Sequence, residues 1–224
     1  RLSDKVRGEI KESRIIKLEE EFPQPDADYD QPLQSLMPVL KENVLLTGAT
    51  GFLGMHLLWE LLNKSSSTIY CLIRGTETES RFGRLFNGYF SVSAKCDYNR
   101  IKIINGDISQ KFLGLTSEDY TELGKNVSTV IHAAGLVKHY GDYSDFEKVN
   151  VQGTQEVIDF CLTFGRPLNH VSTLSIAGNQ LTGEFTNRHF SETKLYIGQN
   201  YRDNLYIRSK FEAEVNIFKA ASLG

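Results

Sequence analysis

NVLLTGATGFLGMHLLWELL, residues 43–62, changes its periodicity partway along. Val44, Leu45 and Leu46 make a short apolar run, after which Leu53, Leu57, Leu58, Leu61 and Leu62 recur at helical spacing. A buried strand therefore feeds a helix through the glycines between them. Gly48 suits a sharp turn, Gly51 lets backbone approach a pyrophosphate, and Gly54 lets the helix lie close on a sheet. The free N–H groups at the helix start then face an anion. The spacing is GxxGxxG rather than GxGxxG, a variant of the dinucleotide fingerprint, and glycine also serves turns that bind nothing. The surrounding pattern has to decide between these readings.

With 224 residues the chain has room for one sizeable domain and an arm. A net charge of −3, with acids and bases interspersed, gives no reason to expect nucleic acid. Cys71, Cys96 and Cys161 are odd in number and form no CxxC pair. Neither a disulfide framework nor a metal cluster is expected, and a reduced, cytoplasmic setting fits. No apolar run approaches the roughly 18 residues that span a bilayer, and RLSDKVRGEI lacks a signal-peptide core. The glycosylation patterns at Asn63 and Asn126 are accordingly read as chance. Residues 1–40 read as an arm and linker, with a charged helical pattern over Arg1–Glu21 that Phe22-Pro23-Gln24-Pro25 stops. Ser35-Leu36 lacks the glycine-aspartate lead-in of a carrier attachment site. The domain then occupies 41–224.

Thr68–Ile73 reads as a second buried strand with Arg74 at its end. In a dinucleotide fold an acid at that place receives the ribose 2′-hydroxyl of NAD, whereas an arginine suits the 2′-phosphate of NADP. Arg74 therefore points to NADPH, with Arg84 as a second cation; the bland alternative for both is a solvated charge. Ile101–Ile104 makes a third strand, followed by Asp107, which either accepts from an adenine amino group or caps the next turn. Ser128–Ala133 is the fourth, and Ala133-Ala134-Gly135 ends it with side chains too small to obstruct a flat ligand. His132, inside that strand, is assigned to packing. Ser144 and Glu147 are spaced as a capping box for a helix running to Phe164, and Leu168–Ser172 is the fifth strand. This alternation implies an α/β, doubly wound parallel sheet with right-handed crossovers and a ligand at its carboxyl edge.

Beyond the fifth strand, Tyr206 and Lys210 stand four apart in YIRSK and share one face of a helix that continues through Phe211, Val215 and Phe218. A lysine beside a phenol favours the phenolate, so Tyr206 is a usable proton donor and acceptor. Thr173 offers a second donor to the same substrate oxygen.

With these motifs assembled, the chain resembles the extended short-chain dehydrogenase/reductases, and most of all the thioester reductase domains that end nonribosomal peptide synthetases and carboxylic acid reductases. LLTGATGFLG, CLIRG, NGDIS, VIHAAG with VNVQGT, VSTLSIAG and YIRSK carry the resemblance over roughly residues 43–215. It implies a Rossmann-like fold in which Gly48, Thr50, Gly51, Phe52, Leu53 and Gly54 hold the pyrophosphate and Arg74 and Arg84 the 2′-phosphate of NADPH. It places Asp107 at the adenine, Ile108 among the cofactor-binding residues, and Ala133, Ala134 and Gly135 along the nicotinamide half. Thr173, Tyr206 and Lys210 become the catalytic set, the last two also against the cofactor, with Asn150 in a water relay. Thr173 fills a position where many relatives have serine, and Ser172 is taken as structural. The implied activity is NADPH-dependent reductive release of an acyl or peptidyl thioester from a phosphopantetheinylated carrier protein, giving an aldehyde or, after a second reduction, an alcohol. Fatty acyl-CoA reductase and a non-catalytic NADPH-binding module are the alternatives. Relatives continue past the position of Gly224, so the C-terminal substrate-binding part is expected to be missing from this chain.

Overall fold

In the computed structural model, which describes residues 43–90, 97–138, 140–178, 190 and 194–222, the apolar runs become five parallel strands. These are β1 (Val44–Thr47), β2 (Ile69–Ile73), β3 (Ile101–Asn105), β4 (Thr129–His132) and β5 (Leu168–His170). Their order is β3-β2-β1-β4-β5, with Val44 registered between Ile69 and Thr129. Such a ladder has helices on both faces, which is why the central strands β1 and β2 are nearly all apolar and buried, without alternation. The expected doubly wound α/β sheet is the observed one.

The helices are α1 (Phe52–Lys64), α2 (Thr78–Tyr89), α3 (Ser117–Asn126), a single turn α4 (Tyr143–Phe146), α5 (Gly153–Phe164) and α6 (Leu205–Ala221). Leu46, Ile69, Cys71 and Ile73 point to one face, where Met55, Leu58 and Leu62 of α1 and Phe82 and Phe86 of α2 cover them. Leu45, Leu72 and Val130 point to the other, under Tyr120 and Leu123 of α3 and Val157 and Phe160 of α5. Cys71 and Cys161 are buried, and desolvation pushes both thiols up to about 12, which leaves them inert.

Two expectations need correction. The fifth strand ends at His170, two residues before Ser172, because Thr173 turns its hydroxyl to the Ser175 amide (3.2 Å) and opens a 3₁₀ turn over Leu174–Ala177. The capping box at Ser144 does not form either: the helix begins at Tyr143, and the Asp145 amide donates to the Asp142 carbonyl. Glu147–Gln152 is then wound as a π-helix instead of continuing as α. Within it the Asn150 carbonyl accepts from the Thr154 hydroxyl at 2.6 Å, a side-chain bond of the kind that distorts a regular helix.

The described residues fall into two compact units. One holds the sheet, from residue 43 to Leu136 and over Glu147–Val171. The other comprises Val137–Phe146 and 172–222, with Ile176, Leu195 and Phe211 at its centre and Tyr201 stacked on Phe211 at 3.9 Å. In that unit Arg208 lies 3.6 Å over the Tyr143 ring and pairs with Glu212, which also accepts from the Tyr143 hydroxyl. The helical pattern over Arg1–Glu21, the whole 1–40 arm, Ser35 and Cys96 lie outside the described residues. No helix among the described residues is long and apolar enough to cross a membrane.

Candidate active site

The sheet unit carries a cleft of about 350 Å³ at the carboxyl ends of β1 to β4. It opens where the strand order reverses, between β1 and β4, the place where open parallel sheets hold their ligands. Thr47, Gly48, Thr50, Gly51 and Ala133 to Leu136 are among the residues that line it. Gly48 has φ +75°, and a Cβ on it would lie 2.6 Å from the Ala133 carbonyl and the Ala134 nitrogen. Gly51 donates its amide back to Gly48 (2.9 Å) and starts α1 with no side-chain cap. The amides of Phe52 and Leu53 are therefore at the disposal of an anion. A Cβ on Gly54 would collide with the Gly48 carbonyl, so only glycine lets α1 sit this close to the turn.

That collision is with backbone, which cannot swing away. Gly54→Ala is expected to destabilise the protein by about 2–4 kcal/mol. Gly83→Ala, in α2 with open space around its Cβ, should be neutral or stabilising by up to about 1 kcal/mol. Denaturant midpoints measured side by side test both, and equal midpoints would show that the turn yields.

Arg74 and Asp107 also line the cleft, with Nη1 of Arg74 3.9 Å from a carboxylate oxygen of Asp107. The other oxygen of Asp107 accepts from the Ser109 amide (2.9 Å) and hydroxyl (2.8 Å), so the turn-capping role is present. Ile108 packs into the core at the cleft's edge. Arg84 is not among the cleft residues, whereas Arg81 is. The chain re-enters α2 through Gly75 and a left-handed Glu77 (φ 53°), and that loop brings the first turn of the helix, not the second, to the cleft. Motif spacing contains no signal for this. Asn150 is 2% exposed, and its side-chain amide accepts from Leu136 N (2.6 Å) and donates to Leu136 O (3.0 Å), so it holds the cleft wall from behind.

Thr173, Tyr206 and Lys210 all belong to the second unit. Asn204 caps α6 by accepting from the Ile207 amide, which starts the helix just ahead of Tyr206. Tyr206 is half-buried, and Lys210, one turn on, is 5% exposed. Burial brings the Lys210 ammonium down to about 8, against an opposing pull from Glu214 one turn further along. The turn that Thr173 caps packs on α6, with Ile176 and Phe211 in one apolar cluster. The Ser172 hydroxyl is buried and has no hydrogen-bond partner among the described residues.

Comparison with known proteins sets this geometry in context. Residues 46–224 match the family NAD_binding_4, described as Male sterility protein. Probable polyketide synthase 6 of Dictyostelium discoideum is 34% identical over 191 residues, which is 80% of this chain and 6% of that protein. A thiolation-reductase di-domain from an archaeal non-ribosomal peptide synthetase superposes with a TM-score of 0.71 at 33% identity, over 82% of this chain and 39% of that one. The terminal R domain from the myxalamid PKS-NRPS biosynthetic pathway gives 0.70 at 29% identity, over 82% and 46%. The chain thus spans less than half of these solved chains and a small fraction of the synthase.

Proposed function

This chain belongs to the NAD_binding_4 (Male sterility protein) family, and from that premise we propose that it forms the cofactor-binding and proton-transferring part of an NADPH-dependent thioester reductase. The observation that carries the reading is the cleft at the β1/β4 reversal, with a glycine turn and an uncapped helix start on one side and Arg74 at its rim. The residues present fit a dinucleotide. Gly48, Thr50, Gly51, Phe52, Leu53 and Gly54 would hold the pyrophosphate, Ala133 to Gly135 would leave room for a flat ring, and Asp107 with Ile108 would border the adenine.

When bound, NADPH supplies a hydride to the thioester carbonyl carbon. The chain's own residues handle the oxygen and the proton. Thr173 and Tyr206 donate hydrogen bonds to the oxygen as negative charge develops there. Tyr206 passes its proton to that oxygen, and the Lys210 ammonium steadies the phenolate left behind. Re-ionisation of the resulting thiohemiacetal expels the pantetheine thiol and leaves an aldehyde, so thioester, NADPH and a proton become aldehyde, thiol and NADP⁺. The acyl or peptidyl group is presented by a carrier protein, a reading supported by the likeness to a thiolation-reductase di-domain.

A product assay tests the reading. An acyl group loaded on a phosphopantetheinylated carrier is offered with NADPH, and aldehyde or alcohol and free thiol are measured. Neither product, with NADPH bound, would leave a non-catalytic binding module; preference for the same acyl group on coenzyme A would favour an acyl-CoA reductase. Cofactor choice has its own test. Arg74→Ala is expected to weaken NADPH about 10- to 100-fold and NADH by less than about threefold, because only NADPH offers the phosphate to the guanidinium. The same titrations on Arg81→Ala and Arg84→Ala decide which supplies the second cation; equal losses for both cofactors at Arg74 would remove it from the phosphate site.

A further inference from the structure

His132 is the last residue of β4 and 1% exposed, yet both of its ring nitrogens have hydroxyl neighbours. Nδ1 is 2.7 Å from Thr47 Oγ1, and Nε2 is 3.1 Å from Thr154 Oγ1. The two threonines decide where the ring's proton sits. Thr154 donates its only hydroxyl hydrogen to the Asn150 carbonyl (2.6 Å), so toward His132 it can only accept, and Nε2 must carry a hydrogen. Thr47 Oγ1 accepts the Ala134 amide at 3.2 Å. Its own hydrogen, buried with the rest of the side chain, then has bare Nδ1 as its acceptor.

The bonds therefore run in one direction, from Ala134 N–H through Thr47, His132 and Thr154 to the carbonyl of Asn150. Asn150 closes the run, since its side-chain amide accepts from Leu136 N and donates to Leu136 O. Ala134, Gly135 and Leu136 line the cleft, so both ends of this wall are tied to the same buried chain. A second proton on the imidazole would break it, leaving the Thr47 hydroxyl hydrogen buried without its acceptor.

We infer that His132 is a positioning residue: a neutral imidazole protonated on Nε2 that, through Thr47 on one side and Thr154 and Asn150 on the other, holds the peptide groups from Ala134 to Leu136 where the cleft needs them. This goes beyond the proposed function, because it concerns how the wall is held and not what the cleft binds.

The test starts with the unaltered chain. Long-range ¹H–¹⁵N spectra of the labelled protein at neutral pH should show the His132 ring as the Nε2–H tautomer; the Nδ1–H form or the imidazolium would overturn the inference. Amide exchange gives the second readout. In Thr47→Val and in His132→Phe, exchange at Ala134 should speed up by at least about tenfold relative to the β1 core amides, and Thr47→Ser, which keeps the hydroxyl, should recover the protection. Unchanged exchange at Ala134 in Thr47→Val would overturn the inference even if His132→Phe fails to fold. NADPH and NADH titrations of the unaltered chain are kept separate. If neither binds, the reading of the cleft fails, while tautomer and exchange still decide the role of His132.

Discussion

Tyr206→Phe is expected to lower thioester reduction by about 10²- to 10⁴-fold while shifting the NADPH dissociation constant by less than about threefold. The substitution removes one oxygen and keeps the ring, so the packing of α6 survives, and with it the Lys210 environment. Under the proposed mechanism it takes away the proton for the substrate oxygen and one of the two hydrogen bonds to it. Thr173 remains, and the residual rate measures what it provides alone. Single-turnover oxidation of NADPH, followed beside a fluorescence titration of cofactor binding, separates the two effects. Turnover within about tenfold of the unaltered protein would remove Tyr206 from the proton-transfer role.

Lys210→Met should be more stable than the original and inactive. The ammonium is almost wholly buried, and its pKa of about 8 stands well below the ordinary 10.5. Below pH 8 the folded chain holds a desolvated charge that the unfolded chain keeps in water, at a cost on the order of 3 kcal/mol. Between about 8 and 10.5 the unfolded chain binds more protons than the folded one, so stability rises with pH across that window and flattens on either side. Methionine matches the length and carries no charge, so the variant should gain about 1–3 kcal/mol near neutral pH and lose the alkaline slope. Its reduction rate should fall by at least about 10²-fold, because nothing then steadies the phenolate of Tyr206. Chemical denaturation at several pH values reads the stability part, and a flat profile in the original protein would show that the ammonium is solvated.

Much of this architecture was legible in the chain. Apolar runs such as Ile69–Ile73 cannot be left half-exposed, so a parallel sheet covered on both faces follows from them before any coordinates. Gly48 and Gly54 were equally readable: one needs a left-handed φ and the other tolerates no Cβ, and both demands show in the spacing of the motif. The single face shared by Tyr206 and Lys210 follows from the helical repeat. Misreadings came where one side chain competed with a backbone rule. The fifth strand was read through Ser172 but ends at His170, ahead of the turn that Thr173 caps; Ser144 had the spacing of a cap, but the helix begins ahead of it.

Sheet class, glycine placement and the helix bearing the tyrosine–lysine pair were thus determined by residue pattern alone, since each depends on periodicity or on the steric demands of one position. Which arginine reaches the cleft, what Asn150 holds and which nitrogen of His132 carries the hydrogen were decided only by tertiary structure. These depend on where a loop re-enters and on which distant donor meets which acceptor, and residues 47, 132, 150 and 154 have no local spacing that announces their meeting.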